Sequence, residues 1–391
     1  MNRPPRVTLF FGSVILLALI GTASEAVAQS SVGSKSGPSA ATPLGVSSGN
    51  AGNFPLSPGG LGGVSGPGGF LRAMGIKPNS PTVTPVGQGM WMNLPTMPKQ
   101  LGEVALGIID GTVYVVGEGS GSTLTYDIAS KSWSHTAAAP RPFPGNHHSA
   151  EVFDGKWYVI GGFGSGSEAR LQIYDPQSNS WSLGADMPWN GGSVNTALIG
   201  NKIVVCGGVK DDLFTTTQCA VYDPAANVWR MRSPMVNGRN HAAAATDGSK
   251  LFIFGGRGPG SGDTNMVANG FADIQCYDPA TDSWDSSTFA NSTLKALPVG
   301  RGGTGRALWH RGEFYVFGGE TLNGPGAVSG NVYDRVDIYN PNTNSWRAGT
   351  PMPTPRHGIF PVRLHGNAFL MGGGKVAGGS QSSVSDLYLL P

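Results

Sequence analysis

Charged residues, cysteines and long hydrophobic runs are all scarce in this chain of 391 residues. Asp, Glu, Lys and Arg make up 13% of the sequence, against a typical share of about 25%. The net charge is +2 and no run of Lys or Arg stands out, so a nucleic-acid partner is not expected. Three cysteines, Cys206, Cys219 and Cys276, are too few for a disulfide framework. Glycine is abundant, with 61 residues, which is typical of many tight turns between short strands or of disorder.

The longest apolar run lies near the start of the chain, at residues 7–21, and is short for a transmembrane helix, which needs about 20 residues. Arg3 and Arg6 precede it, and an Ala-Val-Ala cleavage site ends at Ala28. These features predict a signal peptide at 1–28. We therefore expect export to the periplasm or out of the cell, with no stable membrane insertion after cleavage; an uncleaved anchor is the alternative. Export would permit one disulfide, for which Cys206–Cys219 is the best pair, and buried free thiols are the alternative.

Residues 29–88 consist almost entirely of Gly, Ser, Pro, Ala, Thr and Val, without a sustained period of 2 or 3.6. Such a segment buries too little apolar surface to offset the entropy lost when it is ordered. We predict a flexible linker at 29–88, followed by one domain at 89–391.

The rest of the chain repeats itself. Apolar runs end in glycine doublets at Gly162, Gly208, Gly256, Gly319 and Gly373, and Gly117-Glu118 is a degenerate sixth copy. Most doublets are followed by a Tyr-Asp/Asn-Pro phrase and a tryptophan, and the tryptophans from Trp133 to Trp346 are 48, 48, 55 and 62 residues apart. A period near 50 indicates propeller blades or a solenoid. Each repeat divides into four short strands, as at 147–184, where Asp154-Gly155 is a hairpin turn.

This pattern of two apolar residues, Gly-Gly, Tyr-Asp-Pro, Trp, Pro-Met-Pro and Arg resembles the kelch repeat of exported bacterial-type proteins, over about 89–391. The resemblance implies a β-propeller, usually of six or seven blades. Six doublet positions and six repeat tryptophans, counting Trp91, predict an all-β, six-bladed propeller of four-stranded antiparallel blades. Because the last repeat lacks a fourth strand, we expect residues 89–94 to complete it and close the ring without an open edge.

In such a blade, the loops between strands 2 and 3 share one face with the connections from strand 4 to strand 1 of the next blade (the 4–1 connections). We call this the loop face. Its 2–3 loops, at 163–169, 209–218, 257–272 and 320–334, are long and differ between repeats, and function tends to lie on loops held by a rigid scaffold. The 4–1 connections end around the channel mouth, where we predict that a ligand is bound by eight polar residues: His147, His148, Asn195, Arg239, His241, Arg306, Arg356 and His357.

Glu103 and Arg301 lie on the same connections. Arginine and histidine donors suit carboxylates, sulfates and sugar hydroxyls, and the resemblance implies that similar arginines contact acidic peptide loops. The alternative for each residue is a structural one, in which it caps a carbonyl or pairs with an Asp of the next blade.

The sequence favours a monomeric binding module for a protein, peptide or glycan over an enzyme. The alternative is a sugar mutarotase or epimerase, because the family resembled includes exported sialic-acid mutarotases. The acid and base that anomeric ring opening needs would come from Glu320, Arg306 and His357, although the chain lacks a clear equivalent of the long insertion of those enzymes. His148, His241 and His357 could converge on a metal, but no carboxylate or cysteine is obviously placed to complete four ligands. We therefore predict no metal site and no cofactor.

Overall fold

The computed structural model describes residues 87–118, 120–210, 214–258, 270–322 and 330–391. The predicted signal peptide, nearly all of the predicted linker and parts of four 2–3 loops lie outside these residues. Within the described residues, no helix is both long and apolar enough to span a membrane.

Six four-stranded antiparallel sheets follow one another as blades, and blade 5 carries an additional two-stranded hairpin. Blades 1 to 3 are formed by β2 (Ala105–Ile109), β3 (Thr112–Val116), β4 (Leu124–Asp127) and β5 (Ser132–Ser134); β6 (Ser149–Phe153), β7 (Lys156–Ile160), β8 (Leu171–Asp175) and β9 (Ser180–Leu183); and β10 (Asn195–Ile199), β11 (Lys202–Cys206), β12 (Cys219–Asp223) and β13 (Val228–Arg232).

Blades 4 to 6 are formed by β14 (Ala243–Thr246), β15 (Leu251–Phe254), β16 (Ile274–Asp278) and β17 (Ser283–Ser286); β18 (Leu308–His310), β19 (Glu313–Phe317), β22 (Val336–Asn340) and β23 (Ser345–Ala348), with the hairpin β20 (Glu320–Leu322) and β21 (Gly330–Val332); and β24 (Val362–Leu364), β25 (Asn367–Met371), β26 (Ser385–Leu389) and β1 (Met90–Asn93). This architecture confirms the predicted six-bladed propeller.

The first strand of the domain closes the last blade, as predicted. β1 pairs antiparallel with β26, and Trp91 lies opposite Tyr388 in this register. The two ring centroids are 4.7 Å apart, and the indole N–H of Trp91 donates to the carbonyl of Thr350 at 2.8 Å. Since β1 completes the fourth-strand position of blade 6, the sheet has no missing outer strand.

The repeat tryptophans join each blade to the one before it. Every one of the six stacks on a tyrosine of its own blade, with centroids 4.7–5.1 Å apart. Every indole N–H also donates, at 2.8–3.0 Å, to a carbonyl on the connection that leaves the preceding blade. The shared register of these residues is therefore architectural, as the sequence indicates.

The glycine doublets lie where two blades approach closely. Gly161 has a φ of +60°, and a Cβ there would lie 2.5 Å from the carbonyl oxygen of Gly191 on the next 4–1 connection. The following N–H, that of Gly162, donates to the same oxygen at 2.9 Å. Glycine is required because any side chain would occupy the space of that interblade hydrogen bond.

The hydrophobic core lies mostly between blades and is supplied mainly by second and third strands. Strands such as β7 and β15 are almost wholly buried, whereas fourth strands such as β9 and β23 are largely exposed. Cys206 and Cys219 lie opposite each other on β11 and β12 and form a disulfide, and Cys276 is a buried free thiol.

Candidate functional site

A ring of six residues, one from each 4–1 connection, surrounds the propeller axis on the loop face. These residues, which we call the axial ring, are Glu103, His147, Ser193, His241, Gly303 and Gly358, and all have left-handed φ angles, from 42° to 70°. Four of the six are not glycine, and this conformation is uncommon for such residues. Backbone strain of this kind tends to gather at functional sites.

Backbone hydrogen bonds link the axial ring from blade to blade. Six N–H groups donate to six carbonyls at 2.7–3.4 Å, in the pairs Val104 to Gly358, His147 to Glu103, Ser193 to His147, His241 to Ser193, Thr304 to His241 and Gly358 to Gly303. Because these hydrogen bonds close a circle around the axis, they fix the backbone positions from which the ring side chains extend.

Three titratable side chains of the axial ring converge. Nε2 of His147 lies 3.5 Å from Oε2 of Glu103, and the rings of His147 and His241 are 4.9 Å apart. A Cβ on Gly358 would lie 2.7 Å from Oε1 of Glu103, so glycine at that position leaves room for the carboxylate. These groups line a cavity of about 30 Å³, which is enough for one or two water-sized occupants.

Burial and neighbouring charges set the protonation of this cluster. Burial raises the pKa of Glu103, but the charge of His147 and the neighbouring imidazole of His357 outweigh it and hold that pKa well below its usual range. Burial, reinforced by the charge of Arg257, lowers the pKa of His241 well below its usual value. Burial also lowers the pKa of His147 against the opposing effect of Glu103. At neutral pH the site therefore presents a carboxylate beside neutral imidazoles.

A second group of charges lies directly behind the axial ring. Glu320, which is 1% exposed, accepts hydrogen bonds from Arg257 at 2.6 Å and from the N–H of Gly378 at 2.8 Å. Nδ1 of His357 lies 3.4 Å from Glu320 and 3.5 Å from Glu103. Burial lowers the pKa of His357, but the two carboxylates raise it above its usual value. The structure thus brings together Glu320 and His357 of the predicted catalytic set.

The predicted arginines of the channel mouth lie inside the blades. Arg239, Arg301 and Arg356 are each 0% exposed and pair with an Asp at or just before the third strand of the blade they enter. The partners are Asp273, Asp337 and Asp386, at 2.7, 2.8 and 2.6 Å. Their guanidinium groups therefore stabilise the blades. This is the structural alternative given above, in which each arginine pairs with an Asp of the next blade.

His148 and Asn195 are likewise turned into the structure. His148 is 4% exposed, and its Nδ1 contacts the carbonyl of Gly161. The side-chain amide of Asn195, which is fully buried, donates to the carbonyls of Cys206 and Arg239 at 3.0 and 3.4 Å. Of the eight predicted ligand residues, only His147 and His241 contribute to the axial ring, with His357 beside it.

Arg306 lies deeper in the channel. Its guanidinium donates to Oε2 of Glu151 and to the carbonyl of Ala150, both at 2.9 Å. Arg306 therefore faces Glu151, whereas Glu320 lies beside His357. The predicted catalytic residues Glu320, Arg306 and His357 do not form one constellation. A cavity of about 380 Å³, lined by Arg306, Glu151 and Trp309, opens towards the face that carries the tight turns.

Sequence reasoning missed Ser193, Arg257 and Glu151 as parts of the channel. Ser193 could have been found by aligning the 4–1 connections, because it occupies the position that Glu103, His147 and His241 hold in other repeats. Glu151 lies on a first strand, and its orientation towards the axis has no counterpart in the repeat motif. Arg257 follows a glycine doublet in a 2–3 loop, where the repeats diverge.

Comparison with known proteins agrees with this architecture. The family model described as "KLHDC2/KLHL20/DRC7 Kelch-repeats domain" matches residues 193–391, and the "Kelch motif" model matches residues 144–188. The chain is 26% identical over 353 residues to the Kelch-like protein terF of Aspergillus terreus, which covers 82% of this chain and 72% of that protein.

Two further similarities are more limited. The chain is 32% identical over 119 residues to N-acetylneuraminate epimerase of Escherichia coli K12, which covers 28% of this chain and about a third, 32%, of that enzyme. The solved structure described as "Structure of YjhT" superposes with a TM-score of 0.63 at 18% identity, covering 75% of this chain and 95% of that one. At that identity the structural likeness concerns the fold alone.

Proposed function

This chain belongs to the kelch-repeat family, and from that premise we propose that it is an exported binding module that holds a protein or peptide partner on its loop face. Kelch propellers serve as binding modules, and the interblade hydrogen bonds make this one a rigid support for its loops. A glycan is the other ligand class that the sequence predicts.

The size of the cavity at the axial ring carries the proposal. It measures about 30 Å³, whereas small-molecule sites usually enclose about 300–1,000 Å³. A sugar or cofactor would not be enclosed by it, although one polar group of a ligand lying across the mouth could enter it. A larger partner, lying across the described part of the loop face and contacting the rim, would not need to enter it.

Exposed apolar side chains on this rim support a macromolecular partner. Phe214 is 52% exposed and Val376 is 63% exposed, and they project from 2–3 loops of blades 3 and 6. Aromatic side chains such as Phe214 are enriched in protein interfaces, and Val376 adds exposed apolar surface to the same face. We therefore expect the partner to bury one or both of them.

Selection of binders from a displayed peptide library tests the proposal. The dissociation constants of selected peptides would be measured for Val376→Ser and for Val228→Ser, a matched control on the exposed fourth strand of blade 3. We expect Val376→Ser to weaken binding about tenfold, as for loss of a modest anchor, and Val228→Ser to leave it unchanged. Equal effects of the two substitutions, or selective binding to a glycan array with no peptide enriched, would overturn the proposal.

Export is tested separately by expression of the full chain in a bacterial host. We expect the mature protein in the periplasm or medium to begin at Gln29, as determined by mass spectrometry of its N-terminal peptide. Recovery of the protein only in the cytoplasm, with its first 28 residues intact, would contradict export.

A sugar mutarotase remains the second candidate, because the mouth holds an ionised carboxylate at Glu103 and the chain is 32% identical over 119 residues to an N-acetylneuraminate epimerase. Anomeric equilibration of N-acetylneuraminate, followed by proton NMR, tests this function. Acceleration that Glu103→Gln abolishes and Glu151→Gln leaves intact would support catalysis at the axial ring. A rate equal to that of buffer would exclude this substrate.

A further inference from the structure

The histidines of the axial ring are oriented by neighbouring asparagines. Nδ1 of His147 contacts Oδ1 of Asn146 at 2.7 Å, and Nδ1 of His241 contacts Oδ1 of Asn240. An amide oxygen only accepts hydrogen bonds, so Nδ1 of each imidazole carries the proton. In the neutral imidazole, Nε2 then presents a lone pair.

The same small cavity is lined by Glu103, His147 and His241. Because Nδ1 of each imidazole contacts its own asparagine, Nε2 is the nitrogen that would bind an ion there. One ligand-type atom from each of the three residues lies within 4.8 Å of the others. Nε2 of His147 and Oε2 of Glu103 are already 3.5 Å apart, close to the roughly 3.4 Å between ligand atoms around a tetrahedral zinc ion with bonds near 2.0–2.1 Å. The third atom lies at most 4.8 Å from the other two, so it would have to approach them by up to about 1.4 Å to reach the same spacing.

This arrangement leaves electron pairs facing one another. Glu103 can only accept, and each Nε2 can only accept while its imidazole is neutral. Ser193 can donate its hydroxyl to Nε2 of His241, at 3.1 Å, but it does not satisfy His147 or Glu103. A cation among the three atoms would turn their mutual repulsion into attraction.

The nearest fixed charges are two carboxylates and one arginine, so together they leave a net negative charge. Glu103 and Glu320 are carboxylates, and Arg257 pairs with Glu320 at 2.6 Å, which leaves Glu103 without an arginine or lysine partner among the described residues. Nδ1 of His357 faces Glu103 and has no hydrogen bond. The cavity of about 30 Å³ has room for an ion with a water molecule.

We propose that the axial ring is a divalent transition-metal site of the zinc type, with Nε2 of His147, Nε2 of His241 and a carboxylate oxygen of Glu103 as its protein ligands. Two imidazoles and one carboxylate suit Zn²⁺, Cu²⁺, Ni²⁺ or Fe²⁺ rather than Ca²⁺ or Mg²⁺, which prefer all-oxygen sites. The fourth position faces the small cavity and would hold water. Asn146 and Asn240 act as the outer hydrogen-bond partners that orient metal-bound histidines.

Metal binding by the untagged protein tests this site without reference to any partner of the loop face. After dialysis against a chelator, the protein would be titrated with Co²⁺, followed by its visible absorption, and with Zn²⁺, followed by calorimetry. We expect one equivalent per chain, with Zn²⁺ displacing Co²⁺. Because a bound ion stabilises the folded state, Zn²⁺ should also raise the urea midpoint of unfolding.

Matched variants locate the ion. His241→Gln and Glu103→Gln should weaken Zn²⁺ binding at least tenfold, whereas His365→Gln, at an exposed turn on the opposite face, should bind as the parent does. Asn240→Ala should weaken binding less than His241→Gln, since it removes only the orienting contact. Circular dichroism and the urea midpoint without metal show that each variant is folded.

Two outcomes would overturn the proposal. One is the absence of a saturable Zn²⁺ equivalent in the parent protein, which would mean that hydrogen bonds alone hold the cluster. The other is an unchanged equivalent in folded His241→Gln and Glu103→Gln, which would place the ion elsewhere on the chain. Neither outcome bears on whether peptides bind at Val376, so the two proposals fail independently.

Discussion

The guanidinium of Arg306 crosses the channel to the carboxylate of Glu151, with Nη2 2.9 Å from Oε2. Arg306 enters blade 5 and Glu151 lies on the first strand of blade 2, so the pair joins blades on opposite sides of a six-membered ring. The carboxylate also accepts a hydrogen bond from Thr196 of blade 3, at 2.9 Å. The carboxylate of Glu151 thus connects three blades through the middle of the channel.

Arg306→Ala should destabilise the propeller. Glu151 is 2% exposed, and removal of its partner leaves an uncompensated buried charge, which typically costs about 3–5 kcal/mol. Equilibrium unfolding in urea at pH 7 measures the change. The double variant Arg306→Ala/Glu151→Gln should recover part of the loss, because its buried group is neutral. A single variant as stable as the parent would show that water already compensates the carboxylate.

Gly161→Ala should cost far more stability than Gly200→Ala, although both glycines have a φ of +60°. Alanine in this conformation costs about 1–2 kcal/mol at either position. A Cβ at Gly200 meets nothing within 4 Å, whereas one at Gly161 lies 2.5 Å from the Gly191 carbonyl oxygen, so overpacking adds about 1–3 kcal/mol. Urea midpoints of the two variants test this difference, and equal midpoints would show that the interblade approach tolerates a methyl group.

A chain that begins at residue 96 should be markedly less stable than one that begins at residue 87. The shorter chain lacks β1 and with it the contact of Trp91 with Tyr388, and loss of this partly buried tryptophan should cost up to about 3–5 kcal/mol. The free edge of β26 should also promote association. Thermal unfolding and light scattering compare the two proteins. Identical melting would show that β1 is dispensable for closure.

The cysteines should behave as one disulfide and one unreactive thiol. Burial raises the pKa of the Cys276 thiol to about 12, so the thiolate is scarce at pH 8, and the side chain is 7% exposed. A thiol reagent at pH 8 should therefore detect no thiol in the native protein, one in urea, and all three after reduction in urea. Three thiols in urea without reduction would rule out the Cys206–Cys219 disulfide.

The fold could be predicted because its signals recur in register. Each glycine doublet marks the same close approach between blades, and each repeat tryptophan donates the same interblade hydrogen bond. Any one copy of the repeat is a weak signal, but six copies in register predict one architecture. The position of Trp91 ahead of the first doublet was enough to predict closure by 89–94.

The candidate site was less accessible to sequence reasoning, because neighbouring residues on one connection face different ways. Arg239 enters the blade to meet Asp273, while His241, two residues later, faces the axis. The two side chains face different ways because His241 has a left-handed φ. The residue type alone does not predict that conformation. A signal did exist, since Arg239, Arg301 and Arg356 each have an Asp near the third strand of their own repeat, which favours internal pairing.

The pairing of β1 with β26 also determines when the propeller can close during synthesis. The ribosome makes Trp91 long before Tyr388, so the first strand waits for nearly the whole domain before it gains its partner, and contacts of such sequence separation form slowly. A chain truncated before Ser385 has neither that partner nor a complete sixth sheet. Ring closure is therefore a late step in the folding of this domain, because β1 has no partner until β26 has been made.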